Sequence, residues 1–364
     1  MKRAEKSQRR GAWGSGLLVT LGLVGVAAAE VAVRVSPEVF PWLALAGLVY
    51  PISLAGLLLG VAWRLFAGRW LDCIVPLIAL GFTYPHAQLL WGGGASADAE
   101  GDLRVMTWNV RQFDRYQWLE GAATRDAVLE ELGRTELDVI CLQEMCDDRK
   151  RNPFVTVRAV RQAAGLDQTH AAFEKLTDHR GVLGVMTLTR YPILRKELME
   201  FPDDPGNGAI LTDVRVGDDT VRIVNAHLSS LRLEREDYDA VREGPDAESG
   251  RRLLGRLTKA WAKRARQAEQ LRNAIEASPH PVLLCGDFND TPVSYALSAL
   301  RSAGLADAFA EAGVGFGGTY IGDLPPMRID YILHSEEFEA LRVEEGEAVL
   351  SDHRWVRAVV QFED

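Results

Sequence analysis

Three long apolar runs near the N-terminus constrain this chain more than any other feature of its sequence. They extend over Gly14–Val33, Phe40–Trp63 and Trp70–Trp91, and each is close to the ~20 residues that a helix needs to cross a bilayer. Tryptophans mark their ends, as is usual at a membrane interface. Pro51 and Pro76 fall inside the second and third runs, and membrane helices tolerate proline better than soluble helices do. The sequence therefore predicts three transmembrane helices.

The basic residues around these runs predict which side of the membrane each loop occupies. Arg34 is the one Lys or Arg between the first and second runs. The others precede the first run or separate the second from the third, and they are Lys2, Arg3, Lys6, Arg9, Arg10, Arg64 and Arg69. Because cytoplasmic loops are enriched in Lys and Arg, we expect a cytoplasmic N-terminus. The chain beyond about residue 92 is then expected on the extracytoplasmic (periplasmic or extracellular) side of the cell membrane.

Two other interpretations of this region remain open. Residues 1–29 have the basic start, apolar core and small-residue end (Ala27–Ala29) of a cleavable signal peptide. Cleavage would leave two spans and the same location for the rest of the chain. A buried helical hairpin in a soluble protein is the other alternative, but three nearly uncharged helices would need a partner to cover them.

Charge and composition change after the apolar runs. Residues 1–100 carry eight basic and six acidic residues, which leaves 33 basic and 45 acidic residues, a net charge of −12, for the rest. The small polar run 92–101 (GGGASADAEG) is typical of a flexible linker. We therefore predict a membrane anchor over residues 1–91, a linker over 92–101 and a soluble domain over 102–364.

Short β-rich runs alternate with helical patterns in the soluble part. The strand candidates are Leu103–Val110, Asp138–Gln143, Gly184–Thr189, Ile210–Val216, Thr220–His227, Pro281–Cys285, Arg328–Leu333 and Trp355–Gln361. The helical patterns cover Arg125–Arg134, Phe154–Gly165, Gly250–Ala277 and Tyr295–Ala303. Many strands with interspersed helices and no regular βαβ repeat predict an α/β domain of stacked sheets flanked by helices.

The segment Leu231–Gly250 is rich in alternating charge, and we expect it to loop out before the long helix, where it could cover a site. The long helix itself combines an apolar stripe with a basic face that contains Arg251, Arg252, Arg256, Lys259, Lys263, Arg264 and Arg266. Such a face is usually only solvated, although beside a bilayer it could contact anionic head groups.

Polar residues at the ends of the predicted strands form the candidate site. A single carboxylate after a strand is usually a turn or cap residue, and a single histidine is usually structural. Here the pattern recurs along the whole soluble part, at Asn109, Glu144, His227, Asp287, Asn289, Asp330, Asp352 and His353.

This mixture of side chains suits metal-assisted hydrolysis of a phosphoester. Oxygen ligands such as Glu144 and Asn109, without CxxC pairs or clustered histidines, suit Mg²⁺ better than Zn²⁺. Asp287, Asn289 and the two histidines could activate water and stabilise the phosphoryl oxygens. Asp330 could hold His353 in one tautomer.

The ordered motifs TWNV, LQE, NAHL, GDFND, RIDYIL and SDHR resemble those of the endonuclease/exonuclease/phosphatase (DNase I-like) superfamily. The resemblance spans residues 103–362, and with the apolar runs it is similar to bacterial membrane-bound members with three N-terminal transmembrane helices. It implies a four-layered α/β/β/α sandwich with the site at one rim, and a Mg²⁺ cofactor for which Mn²⁺ may substitute.

The resemblance also implies a role for each matched residue. Glu144 would be the principal metal ligand, with Asn109 nearby and Asp352 joining the metal shell. Asp287 would orient or deprotonate water that Asn289 positions, and His227 would contact the scissile phosphate. His353, held by Asp330, would stabilise the transition state or protonate the leaving oxygen.

Departures from family patterns weaken two specific assignments. Met145-Cys146 follow Glu144 where apurinic-site nucleases have a Thr/Ser-Lys pair, and the Trp-Cys-Asp-Arg motif of inositol-polyphosphate 5-phosphatases is missing.

We expect a hydrolase of a phosphodiester or phosphomonoester. A phospholipid-like or other membrane-proximal substrate is favoured, because the acidic soluble domain offers no basic footprint for nucleic acid. An extracytoplasmic nuclease is the alternative, and a non-catalytic binding scaffold is the alternative of another class. The sequence indicates no obligate protein partner.

Overall fold

The computed structural model of the chain describes residues 2–94, 101–134, 136–147, 154–175 and 182–363. The helices are α1 (Lys2–Ala32), α2 (Ala44–Leu48), α3 (Tyr50–Phe66), α4 (Ile74–Ala87), α5 (Ala122–Arg134), α6 (Val157–Ala164), α7 (Arg235–Glu243), α8 (Ala247–Glu276), α9 (Tyr295–Ser302) and α10 (Ala308–Ala312). The strands are β1 (Gly92–Gly93), β2 (Leu103–Asn109), β3 (Val139–Cys146), β4 (Gln168–Lys175), β5 (Val182–Thr189), β6 (Ile193–Glu200), β7 (Gly208–Val216), β8 (Asp219–His227), β9 (Val282–Asp287), β10 (Ala306–Asp307), β11 (Val314–Gly315), β12 (Asp330–His334), β13 (Phe338–Glu345) and β14 (Val356–Phe362).

Two six-stranded sheets form the centre of the soluble part. Sheet A has the order β10-β12-β9-β8-β7-β6, and sheet B has the order β13-β14-β2-β3-β5-β4. Successive side chains of β2 point to opposite faces of sheet B, so this strand contributes to the packing on both faces. Leu103 and Val105 pack between the sheets against Ile223 and Leu283 of sheet A, whereas Met106 faces the opposite side of sheet B.

Helices cover the outer face of each sheet. Leu271 of α8 and Leu300 of α9 pack on sheet A, while Leu132 of α5 and Val160 of α6 pack on sheet B. Each such fully buried aliphatic side chain contributes roughly 1.5–3 kcal/mol. The four-layered α/β/β/α sandwich predicted from the sequence is therefore confirmed.

All eight predicted strands and all four predicted helices of the soluble part are present, with ends shifted by a few residues. The prediction for Leu231–Gly250 was wrong, because α7 forms inside it. A capping box between Glu234 and Asp237 starts this helix, and Arg252 of α8 binds Asp237 at 2.9 Å. Paired charges thus fold a segment that its composition alone suggested would loop out.

A buried amide pair joins the two sheets below their common rim. Gln143 of β3 donates from Nε2 to Asn225 Oδ1 of β8 at 2.8 Å. Asn225 in turn donates from Nδ2 to the carbonyl oxygens of Leu142 and Met186, at 3.2 and 3.0 Å. Both amides are fully buried. An unpaired buried polar group costs ~1–3 kcal/mol, so these bonds fix the register of one sheet on the other.

The N-terminal part contains two helices that are long and apolar enough to cross a membrane, Gly14–Ala32 and Trp70–Leu90, or three spans if a bent pair counts as one. That pair, Pro41–Leu48 and Tyr50–Phe66, is bent by 53°. A single helix over Phe40–Trp63 was therefore the wrong expectation. Pro51, near the start of α3, has no N–H to donate, and its ring clashes with the preceding turn.

Small residues let α1 and α3 pack closely and antiparallel. A Cβ on Gly22 would lie 2.7 Å from the backbone nitrogen of Leu57, and one on Gly25 would lie 2.2 Å from Ser53 Oγ. Close backbone approach through glycine is typical of helix pairs in membranes. Side chains that face away from the bundle are apolar and exposed, among them Leu17, Leu21, Ile52, Leu59, Ile78 and Phe82.

One end of this helical bundle contacts the sandwich. Arg328 donates from Nη2 to the Leu89 carbonyl oxygen at 2.7 Å, and Arg266 binds Glu38 at 2.8 Å. Gly47 lies so close to the sandwich that a Cβ there would be 2.2 Å from the Val293 carbonyl oxygen. The two parts therefore share polar and packing contacts.

Part of the predicted linker is also structured. Gly92 and Gly93 pair as β1 with Gly315 and Val314 of β11, and residues 95–100 lie outside the described residues. The division into residues 1–91, 92–101 and 102–364 stays a prediction.

We predict that Asn225→Leu lowers the free energy of unfolding by about 2–4 kcal/mol, because it removes one acceptor of the Gln143 amide and the side-chain donor to two buried carbonyls. Gln168→Leu, on exposed β4, is the control and should change it by less than about 0.5 kcal/mol. Urea unfolding of the full chain measures both. Equal midpoints for the two variants would contradict the bridging role.

Candidate active site

The carboxyl ends of the central strands of both sheets meet at one rim of the sandwich. β2 and β3 are parallel in sheet B, and β8 and β9 are parallel in sheet A with His227 in register with Asp287. β12 begins at Asp330, opposite Asp287 on β9. Parallel strands end at the same edge, so Asn109, Glu144, His227 and Asp287 converge there.

The Asp287 carboxylate lies at the centre of this cluster and is buried. Its Oδ2 atom accepts a hydrogen bond from Asn109 Nδ2 at 3.0 Å. The same atom lies 3.6 Å from His227 Nε2 and 3.7 Å from His353 Nε2. Burial raises the pKa of Asp287, although the two histidines act in the opposite direction.

The GDFND turn fixes the position of this carboxylate. Gly286 has φ = +151°, and a Cβ there would lie 1.9 Å from the Ala226 carbonyl oxygen. No other residue fits this approach of β9 to β8. Asn289, at φ = +53°, donates its backbone N–H to Asp287 Oδ1 at 2.9 Å and its Nδ2 to the Leu228 carbonyl oxygen at 3.1 Å.

His353 is held by a second buried carboxylate. Its Nδ1 donates to Asp330 Oδ2 at 2.9 Å, and this bond leaves Nε2 directed toward Asp287. Burial lowers the pKa of His353, but the nearby carboxylates Asp330 and Asp287 outweigh burial and raise the pKa to about 10. The ring is therefore an imidazolium at neutral pH.

His227 has the opposite character. Burial lowers the pKa of His227, so this ring is neutral at neutral pH. Its Nε2 is buried and has no hydrogen-bond partner among the described residues. A buried polar atom of this kind, beside Asp287, is available to a ligand in the site.

Glu144 and Asp352 form an acidic face beside Asp287. Glu144 occupies a bulge of β3 with φ = +48°, and its Oε1 lies 3.4 Å from Asn109 Nδ2. Burial, together with the charge of Asp352, raises the pKa of Glu144 to about 7. Asp352 binds Arg111 Nε at 3.3 Å. This surplus of negative charge is what a bound divalent cation would offset.

Carboxylate oxygens are the donors that a hard cation prefers. Glu144 and Asp352 line the same cavity, and the charge of Asp352 acts on the Glu144 carboxylate. Asn109 directs its amide nitrogen at the carboxylates and uses its oxygen to accept the Arg111 N–H at 3.0 Å. A second group, Asp287, Asp330 and His353, has its ligand atoms within 4.8 Å of one another, but Asp330 is already bonded to His353.

The structure brings all eight predicted site residues into one cluster. Their individual roles as ligands or catalytic groups stay predictions. Five of the eight line a cavity of about 740 Å³, and they are Glu144, Asp287, Asn289, Asp352 and His353.

Sequence reasoning missed three residues that line this cavity and one, Arg111, that lies beside it. Arg111, beside Asp352, follows the TWNV motif by one residue, so its position was a signal. Tyr238 and Tyr320 both line the cavity. Neither belongs to a recognisable sequence motif. Arg264 was wrongly assigned to an exposed basic face, because it is buried and lies 3.5 Å from Asp290.

A sandwich of two sheets with acidic, amide and imidazole groups at one rim defines a DNase I-like hydrolase of phosphoric ester bonds. The model of the Endonuclease/Exonuclease/phosphatase family matches residues 106–353, and the chain belongs to this family. The comparison with curated proteins gave no match.

Solved structures share the fold. The endonuclease/exonuclease/phosphatase from Bacteroides vulgatus is 18% identical with a TM-score of 0.53, over 72% of this chain and 99% of that chain. A humanized D. rerio TDP2 with 14 mutations is 16% identical with a TM-score of 0.51, over 71% and 98% of the two chains. The protein from Beutenbergia cavernae is 20% identical with a TM-score of 0.50, over 71% of each chain.

We predict that Asp330→Asn weakens folding most at low pH. A histidine with a raised pKa contributes stability that is complete below its unfolded pKa of about 6.5 and is lost as the pH rises through its folded pKa, here about 10. The difference in unfolding free energy between the two proteins should therefore be largest near pH 6 and shrink toward pH 10.

Thermal unfolding in EDTA across this pH range measures the difference, with the exposed-site variant Asp219→Asn as the control. A difference that stays constant or grows with pH would show that Asp330 does not hold a charged His353.

Proposed function

We propose that this protein is a membrane-anchored, Mg²⁺-dependent phosphoesterase that hydrolyses a membrane-proximal, phospholipid-like substrate by attack of water. One observation carries the hydrolytic part: the buried Asp287 carboxylate lies 3.6 and 3.7 Å from the Nε2 atoms of His227 and His353. Beside them lies the acidic face of Glu144 and Asp352. These groups match the requirements of phosphoester hydrolysis, which are a base, a cationic donor and a place for a metal.

Glu144 and Asp352 would hold the cation, with Asn109 nearby. A bound Mg²⁺ supplies charge neutralisation at the phosphoryl oxygens and positions the substrate, and Mn²⁺ can take its place. Asn109 fixes the carboxylates through its amide nitrogen, at 3.4 Å from Glu144 and 3.0 Å from Asp287.

Asp287 accepts the proton of the attacking water. Because burial raises its pKa, it is a stronger base than an exposed aspartate while it remains a carboxylate. The Asn289 backbone N–H holds Oδ1 at 2.9 Å, so Oδ2 is directed into the site. Asn289 also limits where the water can lie.

The two histidines act on the phosphoryl group in different ways. Neutral His227 offers its unpaired Nε2 to a phosphoryl oxygen or to the water. Charged His353 stabilises the negative charge that develops in the transition state and can protonate the leaving oxygen. The Asp330 bond at 2.9 Å keeps His353 in the required tautomer.

The arrangement of the helical bundle supports anchoring in a membrane. Exposed side chains of α1, α3 and α4 are apolar, as expected of a surface in contact with lipid rather than water. At one end of the bundle Gly16 approaches Arg64, and at the other end Tyr50 bonds Thr83 at 2.7 Å. The contacts of the sandwich with Glu38 and Leu89 belong to the second end.

This geometry supports an extracytoplasmic catalytic domain. The end of the bundle away from the sandwich carries Arg64, Arg69 and the basic N-terminal segment. Cytoplasmic loops carry the excess of Lys and Arg, so the sandwich lies on the opposite side of the membrane. An anchor that holds the site beside the bilayer raises the effective concentration of a membrane-bound phosphoester.

We predict that externally added protease degrades the sandwich of the full chain in right-side-out membrane vesicles. Immunoblotting for residues near the C-terminus measures the loss. Protection that ends only after detergent is added would place the domain in the cytoplasm and contradict the topology.

We predict that Asp287→Ala lowers kcat by on the order of 10²–10⁴-fold, the range for loss of a general base. Glu144→Gln should raise the Mg²⁺ concentration for half-maximal activity. Full-length protein in nanodiscs, with bis(4-nitrophenyl) phosphate as a soluble probe and EDTA as the metal-free control, measures both.

Asp219→Ala, an exposed aspartate at the start of β8, is the matched control and should keep wild-type activity. Activity that survives in Asp287→Ala, or that EDTA leaves unchanged, would contradict the mechanism. Cleavage of plasmid DNA in place of vesicle phospholipid would make the protein an anchored nuclease. If no phosphoester is cleaved in an Asp287-dependent way, the result would favour the non-catalytic binding scaffold.

A further inference from the structure

The cavity above the catalytic cluster extends far beyond the reacting groups. Its floor contains Glu144, Asp287 and His353. Its far wall is formed by residues of the helical bundle, namely Gly47, Leu48, Val49, Pro51 and Ile52. Its volume of about 740 Å³ is within the ~300–1,000 Å³ range of small-molecule sites and is much larger than a phosphate needs. The additional space therefore has to be explained by another part of the substrate.

The walls between floor and bundle are mostly apolar. Leu253, Leu257 and Trp261 occupy one stripe of α8 and line the cavity, whereas the same stripe further along packs Ala268 and Leu271 into the core. The stripe of α8 is thus divided between core and cavity. An apolar wall of this extent beside a hydrolytic site marks a binding surface for an apolar group.

The bundle side of the cavity is held in place by close contacts. Gly47 packs on the Val293 carbonyl, with space for no side chain, and Val293 itself joins the hydrophobic cluster of the bundle. Val293 follows the GDFND turn by three residues. The bundle wall and the catalytic aspartate are therefore positioned by the same short segment.

The cavity reaches the surface of the bundle at the bend between α2 and α3. Val49 and Ile52 line the cavity, and both are exposed, Ile52 by 76%. This bend lies within the helix pair Pro41–Leu48 and Tyr50–Phe66, which is apolar and long enough to cross a membrane if it counts as one span. A hydrocarbon chain could pass from the bilayer into the cavity at this point without crossing water.

We propose that the apolar part of this cavity binds the hydrocarbon chain of an amphiphilic phosphoester drawn from the bilayer, and that the bundle residues Val49 and Ile52 form part of the substrate site. The inference rests on the proposed phosphoesterase function and adds how the substrate is recognised. The phosphate lies at Asp287 and His353, and the chain extends along Leu257 toward Val49. The anchor then has a second role as a wall of the binding site.

Chain-length selectivity tests this proposal directly. Full-length protein in nanodiscs is assayed with Mg²⁺ on alkyl 4-nitrophenyl phosphodiesters whose alkyl group is ethyl or dodecyl, and the ratio of the two kcat/KM values is measured. Burying one methylene changes affinity by about fourfold, so the ratio should strongly favour the dodecyl ester.

Leu257→Gln and Val49→Gln should each reduce this ratio at least tenfold. Leu59→Gln is the matched control, because Leu59 is an exposed leucine of α3 that does not line the cavity. Partition of the probe into the nanodisc is the same for every variant, so a comparison between variants removes it. Equal ratios for Leu257→Gln, Val49→Gln and Leu59→Gln would overturn the proposal even if hydrolysis depends on Asp287.

A binding measurement separates this proposal from the hydrolytic function. Alkyl phosphonates contain no ester to cleave, and their affinity for the Asp287→Ala variant can be measured by calorimetry with ethyl and dodecyl chains. Selectivity for dodecyl that Leu257→Gln abolishes supports the chain site whether or not turnover occurs. Chain binding without any turnover by the unsubstituted protein would instead contradict the phosphoesterase function.

Discussion

The buried carboxylate of Asp287 is the constraint on which the rest of the site depends. A buried charge is tolerated only with partners, and the partners of Asp287 come from both sheets: Asn109 from sheet B at 3.0 Å and His227 from the neighbouring strand at 3.6 Å. Three features bring these partners together: the stacking of the two sheets, the parallel pairing of β8 with β9, and the glycine at position 286. The amide pair of Gln143 and Asn225, one layer below, holds the sheets in that alignment.

The helical bundle and the sandwich contact each other beside the candidate active site. Arg328 ties the sandwich to Leu89 at 2.7 Å, and Gly47 packs on the segment that follows the GDFND turn. A tether needs no such contacts, since a flexible linker is enough to restrict a domain to the membrane surface. These contacts lie beside Asp287, and this position is the basis for the proposal that the bundle forms part of the substrate site.

The sequence predicted the fold and the cluster because both depend on local patterns. Central strands are apolar on both faces and end in polar residues, and these features survive in a single sequence. The long strands it missed, β4, β6 and β13, lie at sheet edges, where one face carries charge, as in Ile193–Glu200. It also missed the two-residue strands β1, β10 and β11. Arg264 could not be assigned, because a buried arginine is recognised only from its partner Asp290 in space. The bend ahead of Pro51 was missed because proline is common in membrane helices.

The location of the bound metal tests the central claim most directly. Anomalous diffraction from crystals of the full chain soaked in Mn²⁺ would locate the ion without reference to any substrate. The account predicts a peak within about 2.2 Å of a carboxylate oxygen of Glu144, with Asp352 also in its coordination sphere. A peak between Asp287, Asp330 and His353, with Glu144 far from the ion, would contradict it, because Asp287 could not then act as the base.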